Sequence, residues 1–145
     1  MAATGHDWGA WAFVQLSAGD WDGDASADDA IQVSDALTID KKSACAIGIK
    51  IDEPDNDAVA ANSVTIAILG ETASGVFENT PALAGAGLGR PQQFTITPVQ
   101  NLDVFVRFSV DTRDYNIFKV CVMNESGANL VITVSYQTTD VPVAS

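Results

Sequence analysis

The chain has 145 residues, 47% of them hydrophobic and 18% charged, with 11 Gly, 5 Pro and 2 Cys. That is the length of one domain, and such a chain buries roughly 68–70% of the surface it exposes unfolded, enough for a core without disulfides or metals. Against 7 Lys+Arg stand 19 Asp+Glu, and the resulting charge of −12 repels nucleic acid and anionic membrane surfaces alike.

The first residues, Met1-Ala2-Ala3-Thr4-Gly5-His6-Asp7, have neither a basic start nor an apolar stretch, so no signal peptide is expected. Nothing approaches the roughly 18 consecutive apolar residues of a membrane-spanning helix. Residues 1–40 hold Asp7, Asp20, Asp22, Asp24, Asp28, Asp29, Asp35 and Asp40 and no Lys or Arg. We read residues 1–29 as an acidic, tryptophan-containing N-terminal segment of a single β-sandwich domain spanning 1–145. Short strands are expected at 11–16 and 31–33.

From there the apolar period is two, which marks half-buried strands. Cys45, Ile47, Ile49 and Ile51 alternate with Ala46, Gly48 and Lys50; Val64, Ile66 and Ile68 follow in 63–69. Phe94 and Ile96 share one face of a short strand closed by Pro98. Leu102, Val104, Val106, Phe108 and Val110 are set against Asp103, Phe105, Arg107 and Ser109. Residues 115–123 are apolar on both faces, the mark of a central strand covered on both sides. Leu130, Ile132, Val134 and Tyr136 form the last alternation.

Short polar links at 111–114 and 124–127 separate the C-terminal runs, the latter (Asn124-Glu125-Ser126-Gly127) expected to be a hairpin turn. Connections at 19–29, 53–62 and 70–92 are long. No helix beyond single turns at 57–61 and 81–86 is expected. About eight strands with a few long crossings predict an all-β fold, an antiparallel β-sandwich of jelly-roll type, with an immunoglobulin-like sandwich as the alternative. Its core is expected to contain Val104, Val106, Phe108, Phe118, Val120, Val122, Ile132 and Val134, with the three C-terminal runs pairing as antiparallel neighbours.

Catalytic chemistry finds little to stand on. The single histidine, His6, lies near the terminus, so no nucleophile has a histidine base on the scaffold. Cys45 and Cys121 lack the close spacing of a redox pair or zinc knuckle and read as buried thiols. Glycines 85, 87 and 89 do not fit a dinucleotide fingerprint, and no Lys-Ser/Thr follows for a phosphate loop; the stretch reads as a surface loop suited to ordering against a neighbouring subunit. Among the acids, Asp20, Asp22, Asp24, Ser26 and Asp28 place oxygens at every second position, the rhythm of a Ca²⁺-binding loop. The match departs where Gly23 is fourth rather than sixth and Ile31 stands where a bidentate Glu belongs, so a solvated acidic loop is the preferred reading and Ca²⁺ the alternative. The cluster 52–57 reads as a solvated turn. Asp103, Arg107 and Asp111 read as ordinary polar positions of one strand face. Trp8, Trp11 and Trp21 serve either core packing or an interface. With Phe77 and Leu88 from the 70–92 connection, and Phe105 from the polar face of its strand, they are the interface candidates.

The order of pieces resembles a known group. An aromatic opening at 8–16 precedes the strand Ala44–Asp52. A Pro/Asn/Ala loop then leads into Ser63-Val64-Thr65-Ile66-Ala67-Ile68-Leu69-Gly70-Glu71, and Gly-Val-Phe-Glu-Asn follows at 75–79. The chain closes with 115–123, Asn124-Glu125-Ser126-Gly127-Ala128-Asn129 and 130–137. Over nearly its whole length this pattern resembles small β-sandwich structural proteins of tailed-bacteriophage virions, particularly head decoration (cement) proteins. The resemblance implies a non-enzymatic virion protein, made in the host cytoplasm, that binds the major capsid protein on the outer capsid surface as a homo-oligomer, dimer or trimer, without a cofactor. A tail or neck structural protein, or a calcium-dependent carbohydrate-binding module on a jelly-roll scaffold, are the alternatives.

Overall fold

Among the described residues, the runs of period-two alternation become strands. The computed structural model describes residues 7–39, 44–53, 63–80, 92–98, 102–111 and 116–140. Its strands are β1 (Asp7–Trp8), β2 (Ala12–Phe13), β3 (Gln15–Leu16), β4 (Gly19–Asp20), β5 (Asp24–Ser26), β6 (Ile31–Val33), β7 (Leu37–Thr38), β8 (Ala44–Asp52), β9 (Ser63–Ala73), β10 (Val76–Phe77), β11 (Gln92–Ile96), β12 (Val104–Val110), β13 (Ile117–Glu125) and β14 (Leu130–Asp140). No helix occurs among the described residues, and the single turns expected at 57–61 and 81–86 lie outside them.

Apart from the β3–β4 hairpin, the strands fill eight lanes, numbered in chain order: β1/β2/β5, β6/β7, β8, β9, β10/β11, β12, β13 and β14. β1, β2 and β5 lie in file along one side of β14, β6 and β7 along one side of β13, and β10 and β11 along one side of β9. One sheet then runs from the β1/β2/β5 lane through β14 and β8 to β12. The other runs from the β10/β11 lane through β9 and β13 to the β6/β7 lane. Every pairing is antiparallel. Lanes one and eight, two and seven, three and six, and four and five pair as in one long ribbon folded at the β9–β10 turn. Rolling that ribbon sets lane eight against three and seven against four. This is the jelly-roll order.

The core lies between the sheets. Cys45, Ile47, Ile49 and Ile51 of β8 and Ile132 and Val134 of β14 face Val64, Ile66 and Ile68 of β9 and Phe118, Val120 and Val122 of β13, all within one buried cluster. Val104, Val106 and Phe108 pack against it from β12 and keep partial exposure, because β12 is an edge lane. Both faces of β13 are covered, as its double apolar pattern predicts: Cys121 and Met123 form a second buried cluster with Ala67 and Leu69.

One expectation changes. The C-terminal runs do not pair with one another: β12 pairs with β8, β13 with β9, and β14 with β8. Short links were compatible with hairpins, but four residues also span the roughly 10 Å between packed sheets. With both faces apolar, β13 takes the central place in its own sheet, so the 126–129 link is a corner between sheets. Of residues 1–29, the N-terminal segment of the same domain, the described pieces 7–14 and 21–26 build lane one of the first sheet. Val14 N–H donates to Val134 O (2.9 Å), Val134 N–H to Trp21 O (2.9 Å) and Trp21 N–H to Val14 O (2.8 Å). The β3–β4 hairpin is thus an excursion that leaves the lane and returns opposite the same residue.

The corner is closed by one side chain. Asn124, fully buried near the end of β13, points its Nδ2 at the carbonyls of Ser26 (2.9 Å), Ala27 (3.1 Å) and Ala128 (2.8 Å). Its Oδ1 accepts from Ser126 N–H (3.0 Å) and Ser126 Oγ (2.6 Å). Its backbone exchanges bonds with Asp29 and Ala30. Asp29 and Gly127 adopt φ of 66° and 82° here, the left-handed region that Asp tolerates and Gly occupies freely.

The inward and outward rows of β12 and β13 have a testable consequence. Phe118 is fully buried, whereas Phe105 is 71% exposed. In urea unfolding, Phe118→Ala is expected to cost about 3–5 kcal/mol and Phe105→Ala less than about 1 kcal/mol. Equal losses would contradict the assignment of faces.

Candidate functional site

The outer face of the first sheet carries the exposed aromatic residues. Register places Arg107 opposite Gly48 and Gly48 opposite Ser135, while Phe105 lies opposite Lys50 and Lys50 opposite Thr133. These side chains share the face turned away from the core. Gly48 leaves a gap in the middle row, and the six-membered ring of Trp11 fills it: a Cβ added at Gly48 would come within 3.1 Å of that ring. A glycine inside a strand often marks such a close approach.

Arg107 lies between two indoles, its guanidinium carbon 4.8 Å from the Trp8 ring centroid and 5.4 Å from that of Trp11. Its Nη1 donates to Gln137 Oε1, and Gln137 Nε2 donates to Gly9 O at 3.0 Å. One glutamine thus ties the N-terminal lane to the arginine that its tryptophans enclose. Cation–π contacts contribute about 0.5–1 kcal/mol at exposed sites, so the stack orders these side chains more than it stabilises the fold. Lys50 Nζ lies 5.9 Å from the Phe105 ring centroid and 3.6 Å from Asp103 Oδ2. Between Trp11 and Phe105 runs an open groove of about 340 Å³, lined also by Gly48, Lys50, Arg107, Thr133 and Ser135. Beside Asp103, the Asp52 carboxyl has a pKa raised by desolvation and by the neighbouring Asp103 carboxylate.

Three interface candidates meet on or beside this face. Trp8 is half-buried under Arg107, Trp11 is 47% exposed, and Phe105 is the most exposed large apolar side chain described. Trp21 is corrected. It rejoins lane one beside Val134, an inward position, so its indole is fully buried in the core. Phe77 is elsewhere, half-buried on β10 under Lys119 Nζ at 4.7 Å. Leu88, the glycines at 85–89 and His6 lie outside the described residues. Gly48 and Arg107, the residues that organise the face, were read as an ordinary strand position and an ordinary edge charge. The available signal was a glycine in an outward row, two residues before the exposed Lys50.

The oxygen rhythm of 20–28 does not curl into a metal site. Asp20 Oδ1 accepts from Gln15 Nε2 (2.5 Å) in the β3–β4 hairpin, and Asp22 is exposed. Asp24 and Ser26 lie on β5, with Ser26 buried, and Asp28 Oδ1 accepts from Gly127 N–H (2.9 Å) at the corner. Strand geometry spreads the alternate positions along a line instead of around a point. Among the described residues, no three His, Cys, Asp or Glu side chains converge as metal ligands. Asn124, the acceptor of a glycosylation sequon, is buried and engaged. No family model matches the chain, and no curated protein matches it.

Cys45 and Cys121 are both free and buried, and desolvation pushes each thiol up to about 11. The unfolded chain loses these protons at about 8.5. The stability they contribute is therefore fully present below about pH 8.5 and is lost as pH rises toward 11. Urea midpoints should hold through neutral pH and fall across that alkaline window, and a thiol reagent at pH 8 should react only as fast as the protein opens. A native thiol that reacts at the rate of free cysteine would contradict this.

Proposed function

We propose that the chain is a non-enzymatic structural protein of a phage virion, which decorates the outer capsid surface by docking the Trp8–Arg107–Trp11 face on the major capsid protein. One observation carries the reading: the exposed aromatic residues and an arginine are held in a fixed arrangement on one sheet face. Trp, Tyr and Arg dominate the energetics of protein interfaces, and side chains ordered before binding lose less entropy on docking. The resemblance of the chain's pattern to head decoration proteins supports the same assignment. So does a charge of −12, which disfavours the DNA-lined interior of a capsid. The buried, protonated thiols offer no nucleophile on this scaffold.

A carbohydrate-binding module is the second reading. The groove favours it, because a sugar ring can lie on the indole of Trp11 while the hydroxyls of Thr133 and Ser135 and the cations of Lys50 and Arg107 line its surroundings. Such a module would not draw on calcium held by the Asp20–Asp28 oxygens, which do not converge.

The two readings separate on one pair of variants. In binding to capsids that lack the protein, Trp11→Ala is expected to weaken attachment at least about tenfold, as loss of a central aromatic anchor does. The melting temperature of the free protein should move by only a few degrees, since Trp11 is 47% exposed. Phe105→Ala should weaken capsid attachment in the same direction. Unchanged capsid attachment in both variants, together with saturable binding of soluble glycans by the parent chain that Trp11→Ala abolishes, would replace the first reading by the second.

A further inference from the structure

Three of the four sheet edges are interrupted. The β1/β2/β5 lane consists of pieces of two, two and three residues, the β6/β7 lane of three and two, and the β10/β11 lane of two and five. Broken edges are a common way to prevent strand addition. β12 differs: its seven residues pair with β8 in one continuous register, without a bulge, and among the described residues nothing pairs with its far side. Its inward residues Val104, Val106 and Phe108 are only half-buried, while inward residues of the central strands are fully buried. Leu102, just before it, is 57% exposed.

The order of side chains along this edge is complementary to itself. We propose that β12 pairs antiparallel with β12 of a second copy of this chain, in the register that sets Phe105 opposite Phe105 of the partner subunit. Opposite residues of antiparallel strands share a face, so outward residues meet outward ones. On the outer face, Asp103 then lies opposite Arg107 of the partner subunit, on both sides of the central phenylalanine pair. On the inner face, Val104 meets Val106 of the partner subunit and Leu102 meets Phe108 of the partner subunit, which extends the core across the boundary. Other centres lose this match. Centring on Arg107 brings two guanidiniums together and sets Asp103 opposite Asp111, while centring on Val104 or Val106 leaves Asp103 without a cation opposite it. The Arg107 guanidinium uses one nitrogen toward Gln137, so further donors remain for the carboxylate.

The dimer joins two four-lane sheets into one eight-lane sheet about a two-fold axis perpendicular to it. Both aromatic faces then point the same way, a geometry for bivalent attachment to a repeating surface. The pairing stands on the β12 edge alone and does not depend on the capsid reading.

Sedimentation of the full chain tests it. The parent protein is expected to form a dimer with roughly micromolar affinity, as suits a small interface. Asp103→Arg should weaken dimerisation about tenfold or more, because it sets Arg opposite Arg. Arg107→Asp should also weaken it, and an equimolar mixture of the two variants should restore a dimer, since both charge pairs are opposite again. A second measurement covers the case in which Arg107→Asp does not fold. Mild oxidation should convert Phe105→Cys to a covalent dimer, while Ser109→Cys, roughly 25 Å from its copy in this register, should stay monomeric. The buried Cys45 and Cys121 do not compete. A parent chain that is monomeric to about 100 μM or that forms a closed trimer, an Asp103→Arg variant that dimerises unchanged, or cross-linking at 109 instead of 105 would each overturn the proposal.

Discussion

A rolled ribbon needs its two ends to cross between sheets, and in this protein both crossings are tied by Asn124. Lane one passes to lane two at 27–30, lane seven passes to lane eight at 126–129, and the buried carboxamide bonds both turns at once. Backbone groups at such corners cannot pair within either sheet, yet those of Ser26, Ser126 and Ala128 belong to buried residues. Leaving a buried polar group unsatisfied costs about 1–3 kcal/mol each. One asparagine offers both donor and acceptor atoms, and at a single point it answers several such groups. Asp28, with its carboxylate on Gly127 N–H, closes the outer side of the same corner.

That arrangement also sets where the first sheet's outer face ends and what it displays. Once lane one is fixed against β14, Trp8 and Trp11 fall on the outer side and Val14 and Trp21 on the inner side. The glycine at 48 then sets the detail, since a Cβ there would come within 3.1 Å of the Trp11 ring and press it outward. Arg107 fills the space between the indoles, and Gln137 holds it there. An acidic chain with few cations thus places two of them, Lys50 and Arg107, beside its most exposed aromatic residues.

What the sequence makes legible follows from which interactions are local in it. A strand with one face in the core must alternate and one covered on both faces is apolar throughout, so β8, β9, β12, β14 and the central β13 could be read directly, and so could the outward position of Phe105. Lane membership was less legible, because a four-residue link fits a hairpin and a corner equally well. The decisive contacts of Asn124 reach residues about 98 positions away. Trp21 illustrates the same limit: an aromatic residue flanked by aspartates fits the core or an interface, and only its return opposite Val134 places it inside. The placement of the oxygens at 20–28 is likewise set by distant pairing. Asp24 and Ser26 fall on β5 opposite the inward Ile132 and Leu130, while Asp20 lies in the hairpin, Asp22 in the bend before β5 and Asp28 in the corner, so the alternation does not close around a point. Of the candidate face, the aromatic members were visible in the sequence, but the gap at Gly48 and the enclosure of Arg107 belong to register.

The account rests most heavily on the corner, and urea unfolding of Asn124→Ala addresses it directly. The substitution removes a small polar side chain, so lost apolar burial contributes little, and the loss reports the unsatisfied groups of Ser26, Ala27, Ser126 and Ala128. It should destabilise the protein by about 3 kcal/mol or more, with amide protection falling in both turns together. A loss below about 1 kcal/mol, with protection at Asp29 and Ser126 unchanged, would show that the rolled ribbon closes without this side chain and would contradict the account.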